Sequence, residues 1–476
     1  MIRGDLEKLP PSALWAAASL IEGGSKGMNR MSKTDRLFSG RQLSRLIWPL
    51  VAEQVLSVLV GMVDVLMVSF VGEAAVSGVS LVDAVNHLVL QVLFAMTAGG
   101  TVVCAKYIGA GEYISARKSG GQLLSVTTGA LLLLSLFLLA GGQSLLRLLF
   151  GTVEPEVMRD AEIYMRFTAV SFPFLAVYHS AASIFRAEGN TRLSMLVSFG
   201  MNLLNIAGDA LCIFGFGMGV EGVAIATLLA RAVAAVAICL FLQSPDNALR
   251  LRRLGDCRPS GAILREILSI GVPGGVESGL FNLGKVMLQS LVSTLGTASI
   301  AAYAVAGNLA TYLYLPGNAL GAALMTIVGQ CRGAGEPEQA KSYTKLLVML
   351  NYAALVPICV VMIFGRSFWV GLYHLSPESA YFAEGLLLAH SLAMIIWPVA
   401  FMLPYYFRAI GRAVFPMAVA IGTMLVFRIG FAYAFVDWMG KDVLWVWYAM
   451  FLDWLVRVLL FGAAFSSRRY SFPNGR

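Results

Sequence analysis

Two aspartates and two asparagines are the residues of this 476-residue chain whose types and spacing suggest chemistry. Asn205 and Asp209 are four residues apart, so they share one helical face, and Asn202 lies on nearly the same face. Asp64 supplies a second carboxylate from another apolar segment. Carboxylate and amide oxygens can bind a hard cation, and two carboxylates can share a proton. The alternative is a hydrogen-bonded network that only holds helices together.

A duplicated glutamate is a second candidate. Glu53 stands eleven residues before Asp64, which is about three helical turns or roughly 16 Å along the axis, so both project from a similar face. Glu53 recurs as Glu277 in the second half of the chain. Such a pair can line the cytoplasmic part of a cleft, or hydrogen-bond backbone groups near the proline that precedes each glutamate. Both interpretations stay open.

The elements that must position these residues are membrane helices. Hydrophobic residues make up 58% of the chain and charged residues 13%, which leaves too little polar surface for a soluble enzyme, a disordered chain or a coiled coil. The apolar runs do not alternate with polar residues, which excludes a β-barrel. The expected fold is an all-α membrane protein embedded in the lipid bilayer.

Twelve apolar runs of about 20 residues are long enough to cross a bilayer. They are predicted at 43–71, 78–105, 120–146, 160–184, 193–216, 220–243, 265–294, 299–330, 343–365, 380–406, 414–436 and 443–465. Proline within a run, such as Pro398, predicts a kink. Most of the 35 Lys and Arg residues fall on one side of this topology, so both termini are predicted in the cytoplasm of a bacterial-type plasma membrane.

Other partners and chemistries find no support in the sequence. The net charge of +8 is scattered over short loops, so we expect no nucleic-acid partner. The six cysteines have neither metal nor disulfide spacing, and we expect free thiols. No phosphate-binding loop, nucleophile elbow or zinc motif occurs, so we expect no enzyme, no cofactor and no metal beyond a Na+ ion at Asp64, Asn205 and Asp209. We expect a monomer.

The two halves of the chain repeat each other. The segment Pro49-Leu-Val-Ala-Glu53 recurs as Pro273-Gly-Gly-Val-Glu277, and Gly109-Ala-Gly111 recurs as Gly333-Ala-Gly335, both at an offset of 224 residues. Phe185-Arg-Ala187 recurs as Phe407-Arg-Ala409 at an offset of 222 residues. An even number of spans in each half makes both halves enter the membrane from the same side, as in the parallel repeats of secondary transporters.

The repeat predicts the domain organisation. We expect a cytoplasmic tail (1–40), a first lobe of six helices (41–245), a cytoplasmic linker (246–261), a second lobe of six helices (262–466) and a cytoplasmic C-terminus (467–476). A substrate path is expected between the lobes near the membrane midplane.

The repeat also separates shared scaffold from polar groups that only one half contains. At the positions that match Asp64, Asn205 and Asp209, the second half has Leu288, Phe427 and Phe431, so the polar cluster belongs to the first half alone. Ionisable residues inside a membrane are costly, so such groups are candidates for function.

The second half has polar groups of its own. Lys285, whose counterpart is Gly61, and Asn282 are candidates for lining a cavity. Lys285 can pair with an acid such as Glu277, repel a cationic substrate, attract an anionic group or only hold helices together. Arg428 and the pair Asp453 and Arg457, four residues apart, are predicted to be structural.

Across nearly all of residues 41–465 the sequence resembles the multidrug and toxic compound extrusion (MATE) family. The motifs that carry the resemblance are Phe185-Arg-Ala-Glu-Gly-Asn-Thr-Arg192, Asn202-Leu-Leu-Asn-Ile-Ala-Gly-Asp209, and Thr101-Val-Val-Cys-Ala-Lys-Tyr-Ile-Gly-Ala-Gly111 with its echo at 326–335. The resemblance implies a two-lobed exporter that exchanges H+ or Na+ for amphipathic, often cationic drugs or toxins. It also implies that Asp64, Asn205 and Asp209 form the cation site of the first lobe.

The sequence departs from the family pattern in the second lobe. Some members have a carboxylate site on helices seven and ten, whereas this chain has only Glu384 on helix ten, near its outer end. We therefore do not expect a second cation site. The alternative function is a lipid-linked sugar flippase or a specific metabolite transporter of the same superfamily, which would favour a more cationic cavity.

Overall fold

Each predicted span is a helix in the computed structural model, which describes residues 36–151, 153–245, 247–251, 260–467 and 472. Most of the predicted tail 1–40, much of the linker 246–261, most of the C-terminus 467–476 and Cys257 lie outside these residues. Within the described part of the chain there is no β-strand. The all-α prediction is confirmed.

Six long helices form the first half. In chain order they are α1 (Gly40–Ser69), α2 (Glu73–Gly109), α3 (Tyr113–Phe150), α4 (Pro155–Glu188), α5 (Thr191–Gly215) and α6 (Val220–Leu242). The last turn of α5, Leu211–Gly215, is π-helical. Of these six helices α4 is the most buried and α1 the least buried, so α4 forms the centre of the first half.

The second half has the same plan with one bent helix. Its helices are α7 (Gly261–Ser293), α8 (Thr297–Gly333), α9 (Pro337–Phe364), α10 (Pro377–Ala393 and Trp397–Ala409), α11 (Val414–Trp438) and α12 (Val443–Ser466), with a short helix at Arg366–Gly371. The two segments of α10 meet at 56°. Pro398 stands in the first turn of the second segment, where its missing N–H costs no helical hydrogen bond.

The number of spans agrees with the sequence. Ten helices of the described chain are long and apolar enough to cross a membrane, and the two segments of α10 make one more. The remaining helix, α7, has 33 residues, which at 1.5 Å per residue is ample for a bilayer, although it carries the charged residues Glu277 and Lys285. The twelve-helix prediction is thereby confirmed.

Contacts between Cα atoms divide the chain into two compact units. The first unit is Gly40–Gly275, and the second begins at Val276 and includes the described residues before Gly40. The division falls within α7, whose beginning groups with the first unit. The lobe boundaries given above therefore stay a prediction.

The repeated glycines end helices in the same way in both halves. Gly111 and Gly335 have φ of 76° and 74°, and Gly189 and Gly411 have φ of 86° and 84°. An L side chain rarely adopts this left-handed region, whereas glycine does so without steric cost. The recurring Gly-Ala-Gly and Phe-Arg-Ala-x-Gly patterns are therefore matching helix ends.

The repeated glutamate pairs with the repeated arginine in each unit. Glu53 Oε1 on α1 lies 3.7 Å from Arg186 Nη1 on α4, and Glu277 Oε2 on α7 lies 2.7 Å from Arg408 Nη2 on α10. All four side chains are less than one-fifth exposed. Neither interpretation offered for the glutamates anticipated an arginine partner. The shared motifs thus encode one ion pair twice, between the first and fourth helices of each half.

We expect Gly78 and Gly129 to respond in opposite ways to alanine. A Cβ at Gly78 on α2 would lie 2.9 Å from the backbone of α4, at both Val157 O and Ala161 N, whereas Gly129 on α3 has no neighbour within 4 Å. Gly78→Ala should destabilise the protein by about 1–3 kcal/mol, because backbone cannot move aside. Gly129→Ala should leave stability unchanged or raise it slightly, since alanine is the better helix former. Thermal unfolding in detergent measures both, and equal effects would contradict the close α2–α4 packing.

The repeated ion pair predicts a double-mutant result. Arg408→Met leaves Glu277 charged and unpaired, and should lower stability by about 3–5 kcal/mol. Adding Glu277→Gln removes that charge and should restore much of the loss. Arg147 and Glu162, 3.6 Å apart, form the control pair, because the Arg147 side chain is mostly exposed and Glu162 also accepts a hydrogen bond from Gln143 Nε2. Arg147→Met should cost no more than about 1 kcal/mol. A double variant as unstable as Arg408→Met alone would refute the pairing.

Candidate functional site

A polar cavity lies inside the first unit, among α1, α2, α4, α5 and α6. Its volume is about 390 Å³. Its wall includes three aspartates, an asparagine, a threonine and an arginine. A glutamate–arginine pair also lines the cavity. These residues are Asp64, Asp83, Asn205, Asp209, Thr227, Arg231, Glu53 and Arg186. The helices of one unit thus bring together side chains that are up to 178 positions apart, from Glu53 to Arg231.

The polar face predicted for α5 points into this cavity. Asn205 Nδ2 donates to Asp209 Oδ2 at 3.3 Å and to Thr227 Oγ1 on α6 at the same distance. Asn202 lines the cavity one turn earlier on α5. The π-helical turn that follows Asp209 ends the regular helix just beyond the site, and such turns are frequent at functional sites.

Asp64 on α1 lines the same cavity as Asp209. The Asp209 side chain is fully buried, and the two carboxylates interact electrostatically as like charges. Asp64 Oδ1 and Asp209 Oδ1 are buried and have no hydrogen-bond partner among the described residues. Two carboxylate oxygens without donors in a shared polar space can accept a proton or coordinate a hard cation. The structure thus brings together the three predicted residues Asp64, Asn205 and Asp209.

Two charged residues at this site escaped the sequence analysis. Asp83 on α2 accepts a hydrogen bond from Asn86 Nδ2 at 3.1 Å. Arg231 on α6 donates from Nη1 to Ser171 Oγ on α4 at 2.6 Å, and it interacts electrostatically with Asp64 and Asp83. Both residues stand inside predicted spans, so the rule that intramembrane charges mark function would have found them.

The charges around the cavity do not cancel. Glu53 and Arg186 neutralise each other as an ion pair. Three aspartates then face one arginine, which leaves a surplus of two negative charges when all four are ionised. In a region of low dielectric such a surplus attracts a mobile cation.

The long axis of the cavity follows α1. Glu53 and Asp64 both line it, and their eleven-residue separation corresponds to roughly 16 Å along the helix. One cavity therefore connects the ion pair with the aspartate cluster. The predicted common face of Glu53 and Asp64 agrees with this arrangement.

The candidates of the second unit form no comparable acidic cluster. Asn282 Nδ2 donates to the backbone oxygen of Ser278 at 2.9 Å, within α7. Lys285 Nζ lies 5.1 Å from the centroid of the Phe281 ring, and Glu277 is held by Arg408. Glu384 lies 3.7 Å from Arg366 Nε, so the acid on α10 already has a basic partner.

The metal-ligating and thiol side chains of the described residues are scattered. No group of three or more His, Cys, Asp or Glu side chains there is placed to hold a metal ion. A Na+ ion at the aspartate cluster would therefore draw on amide and hydroxyl oxygens such as those of Asn205 and Thr227 as well. The five described cysteines are free.

Comparison with known proteins gives the family. The model of the MatE family matches residues 49–211 and 273–434, one stretch in each half and together more than half of the chain. The probable multidrug resistance protein NorM of Thermotoga maritima is 26% identical over 429 residues, which covers 88% of this chain and 90% of that protein. The multidrug export protein MepA of Staphylococcus saprophyticus is 22% identical over 66% of this chain and 69% of its own length.

A solved structure has the same fold. The outward-facing conformation of a multidrug resistance MATE family transporter of the MOP superfamily superposes with a TM-score of 0.83 at 22% identity, and the match covers 89% of this chain and 94% of that one. The family model also places its two matches where the internal repeat was found. The chain therefore belongs to the MatE family, the multidrug and toxic compound extrusion transporters that its motifs resemble.

Proposed function

We propose that this transporter exports small amphipathic, often cationic drugs or toxins in exchange for H+ or Na+, by alternating access. The observation that carries the proposal is the pair of unpartnered, buried carboxylate oxygens of Asp64 and Asp209 in one polar cavity. The printed names of the relatives, multidrug resistance and multidrug export proteins, support the substrate class. The excess of basic residues on one side supports cytoplasmic termini, and we propose a monomer in the cytoplasmic membrane.

The proposed cation acts by removing charge repulsion. Asp64 and Asp209 stand on different helices, α1 and α5, and repel each other when both are ionised. A proton or Na+ between them relieves this repulsion and favours closer packing of α1 and α5. Because the same cavity extends along α1 to Glu53, a change at the cluster alters the space available to a bound drug.

Coupling requires a difference between the two states of the transporter. The cation must bind more tightly in the state that releases the drug, and the drug in the state that admits it. Arg231 contributes to this balance, since it places a fixed positive charge near Asp64 and Asp83. The resident arginine weakens the hold of the cluster on a mobile cation, which allows release on the inner side.

The substitutions Asp64→Asn and Asp209→Asn test the proposal. Each replaces a carboxylate by an amide of the same shape, which keeps hydrogen bonding but removes the charge that binds the cation. In proteoliposomes with an imposed pH gradient, and separately with a Na+ gradient, each variant should lose gradient-driven export of a cationic dye down to the protein-free background. The thermal stability of each should equal or exceed that of the unchanged protein, because a buried charge has been removed.

Asp437→Asn is the matched control. Asp437 is an exposed aspartate near the end of α11, outside the cavity, and its substitution should leave export unchanged. Gradient-driven export that persists in both Asp64→Asn and Asp209→Asn would show that these carboxylates do not couple the cation.

A second candidate function is transport of an anionic metabolite or a lipid-linked sugar. The observation that favours it is the basic side chains of the second unit, Lys285 and Arg428, which lie beside one aromatic ring. Vesicle transport with labelled anionic and cationic compounds separates the candidates, since a carrier of anions moves the former and ignores the latter.

A further inference from the structure

Two basic side chains of the second unit converge on one aromatic ring. Lys285 Nζ on α7 lies 5.1 Å, and Arg428 Cζ on α11 lies 5.2 Å, from the centroid of the Phe281 ring. The two cations also interact electrostatically with each other. Like charges repel, so this convergence costs free energy unless something compensates it.

The burial of Arg428 costs more free energy than the placement of Lys285. Arg428 is 6% exposed, and its Nε is buried without a hydrogen-bond partner in the described structure. Its Nη2 contacts Met450 Sδ at 2.9 Å, and a thioether sulfur is only a weak acceptor. A guanidinium has five N–H donors, so most of its hydrogen-bonding capacity finds no strong protein acceptor.

Asp453 and Glu277, two acids of the second unit, have other partners. Asp453 lies 2.7 Å from Arg457, Glu277 lies 2.7 Å from Arg408, and no acidic group of the described chain lies within 4.0 Å of Lys285 or Arg428. The structural role predicted for Arg428 therefore has no acidic partner to support it. A buried charge that lacks a counter-charge is strongly destabilising, so the fold retains this arginine at a cost.

Further polar side chains lie near the arginine. Arg428 interacts electrostatically with His390, whose ring is almost fully buried. Tyr314 Oη lies 2.9 Å from His390 Nε2, while His390 Nδ1 has no partner among the described residues. Arg428 itself stands in a π-helical turn, Met424–Gly430, a feature frequent at functional sites.

The repeat shows that this cluster belongs to the second half alone. At the matching positions the first half has Gly61 for Lys285 and Ile206 for Arg428. The first unit has a surplus of aspartates where the second has leucine and phenylalanine. The two halves have thus acquired opposite charge at their functional positions while they share the same scaffold.

We propose that Lys285 and Arg428 bind an anionic group, a carboxylate or a phosphate, in the second unit. Lys285 is exposed, and Arg428 offers the fork of donors that fits a planar carboxylate or a phosphate. The ring of Phe281 holds both cations beside the bound anion through cation–π contacts. This site goes beyond the cation-coupled export proposed above and does not depend on it.

Benzoate and inorganic phosphate are suitable probes, and uncharged benzamide is the control for benzoate. Both anions should raise the melting temperature of the full chain in detergent, whereas benzamide should not. Lys285→Gln should weaken the affinity for both anions by about tenfold or more, since a hydrogen bond to a charged group is lost. Lys441→Gln is the matched control. Lys441 also lies over an aromatic ring, that of Trp445, but it stands between α11 and α12 and does not contact Phe281.

Arg428→Met gives a second and opposite readout. It should raise the melting temperature of the ligand-free protein, because an uncompensated buried charge is removed, and it should abolish the response to anions. Asp209→Asn should keep the full response, which separates this site from the proposed cation site.

The source of the phosphate is tested in nanodiscs. If phosphatidylglycerol in place of phosphatidylcholine raises the melting temperature, and both variants remove that rise, a lipid headgroup occupies the site and the proposal is supported. If benzoate or inorganic phosphate raises the melting temperature in phosphatidylcholine nanodiscs, and both variants remove that rise, the site binds a soluble ligand and the proposal is equally supported. Equal responses to benzoate and benzamide, or unchanged affinity in Lys285→Gln, would overturn it.

Discussion

Inside an apolar membrane a charged side chain needs a partner. This constraint determines how the polar residues of this protein are arranged. Where the two halves share a sequence motif, the charges are matched within the fold, as in Glu53 with Arg186 and Glu277 with Arg408. The Asp453–Arg457 pair of the second unit, which has no counterpart in the first half, is also matched, but other charges found in only one half lack a full complement of partners. Asp64 and Asp209 in the first unit and Arg428 in the second are of this kind. We propose that a mobile ion or a substrate group binds where this complement is missing.

The internal repeat makes this distinction visible. Duplicated residues build the scaffold: glycines in the left-handed region end the helices, and a glutamate–arginine pair joins the first helix of each half to the fourth. Residues that differ between the halves give each unit its own charge. The two halves thus share a scaffold and differ in charge at a few positions, which are acidic at Asp64 and Asp209 in the first unit and basic at Lys285 and Arg428 in the second.

The sequence alone predicted most of the fold, because membrane spans are a local property of composition and length. All twelve spans were predicted, and the i,i+4 spacing placed Asn205 and Asp209 on one face. The partners across helices were not predictable in this way. The pairing of Glu53 with Arg186 depends on how α1 packs against α4. A structural role was predicted for Arg428 because only the three-dimensional structure shows that this residue has no acidic partner. Asp83 and Arg231 were within reach, since both are charges inside predicted spans.

The linkage between drug and cation tests the central claim most directly. The purified protein is titrated with a cationic dye by calorimetry, in buffers of different ionisation enthalpy and at several Na+ concentrations. If the aspartate cluster couples the cation, dye binding releases protons or weakens as Na+ rises, and the doubly substituted Asp64→Asn, Asp209→Asn protein shows neither effect. Dye affinity independent of both pH and Na+, or a linkage that survives the double substitution, would contradict the account.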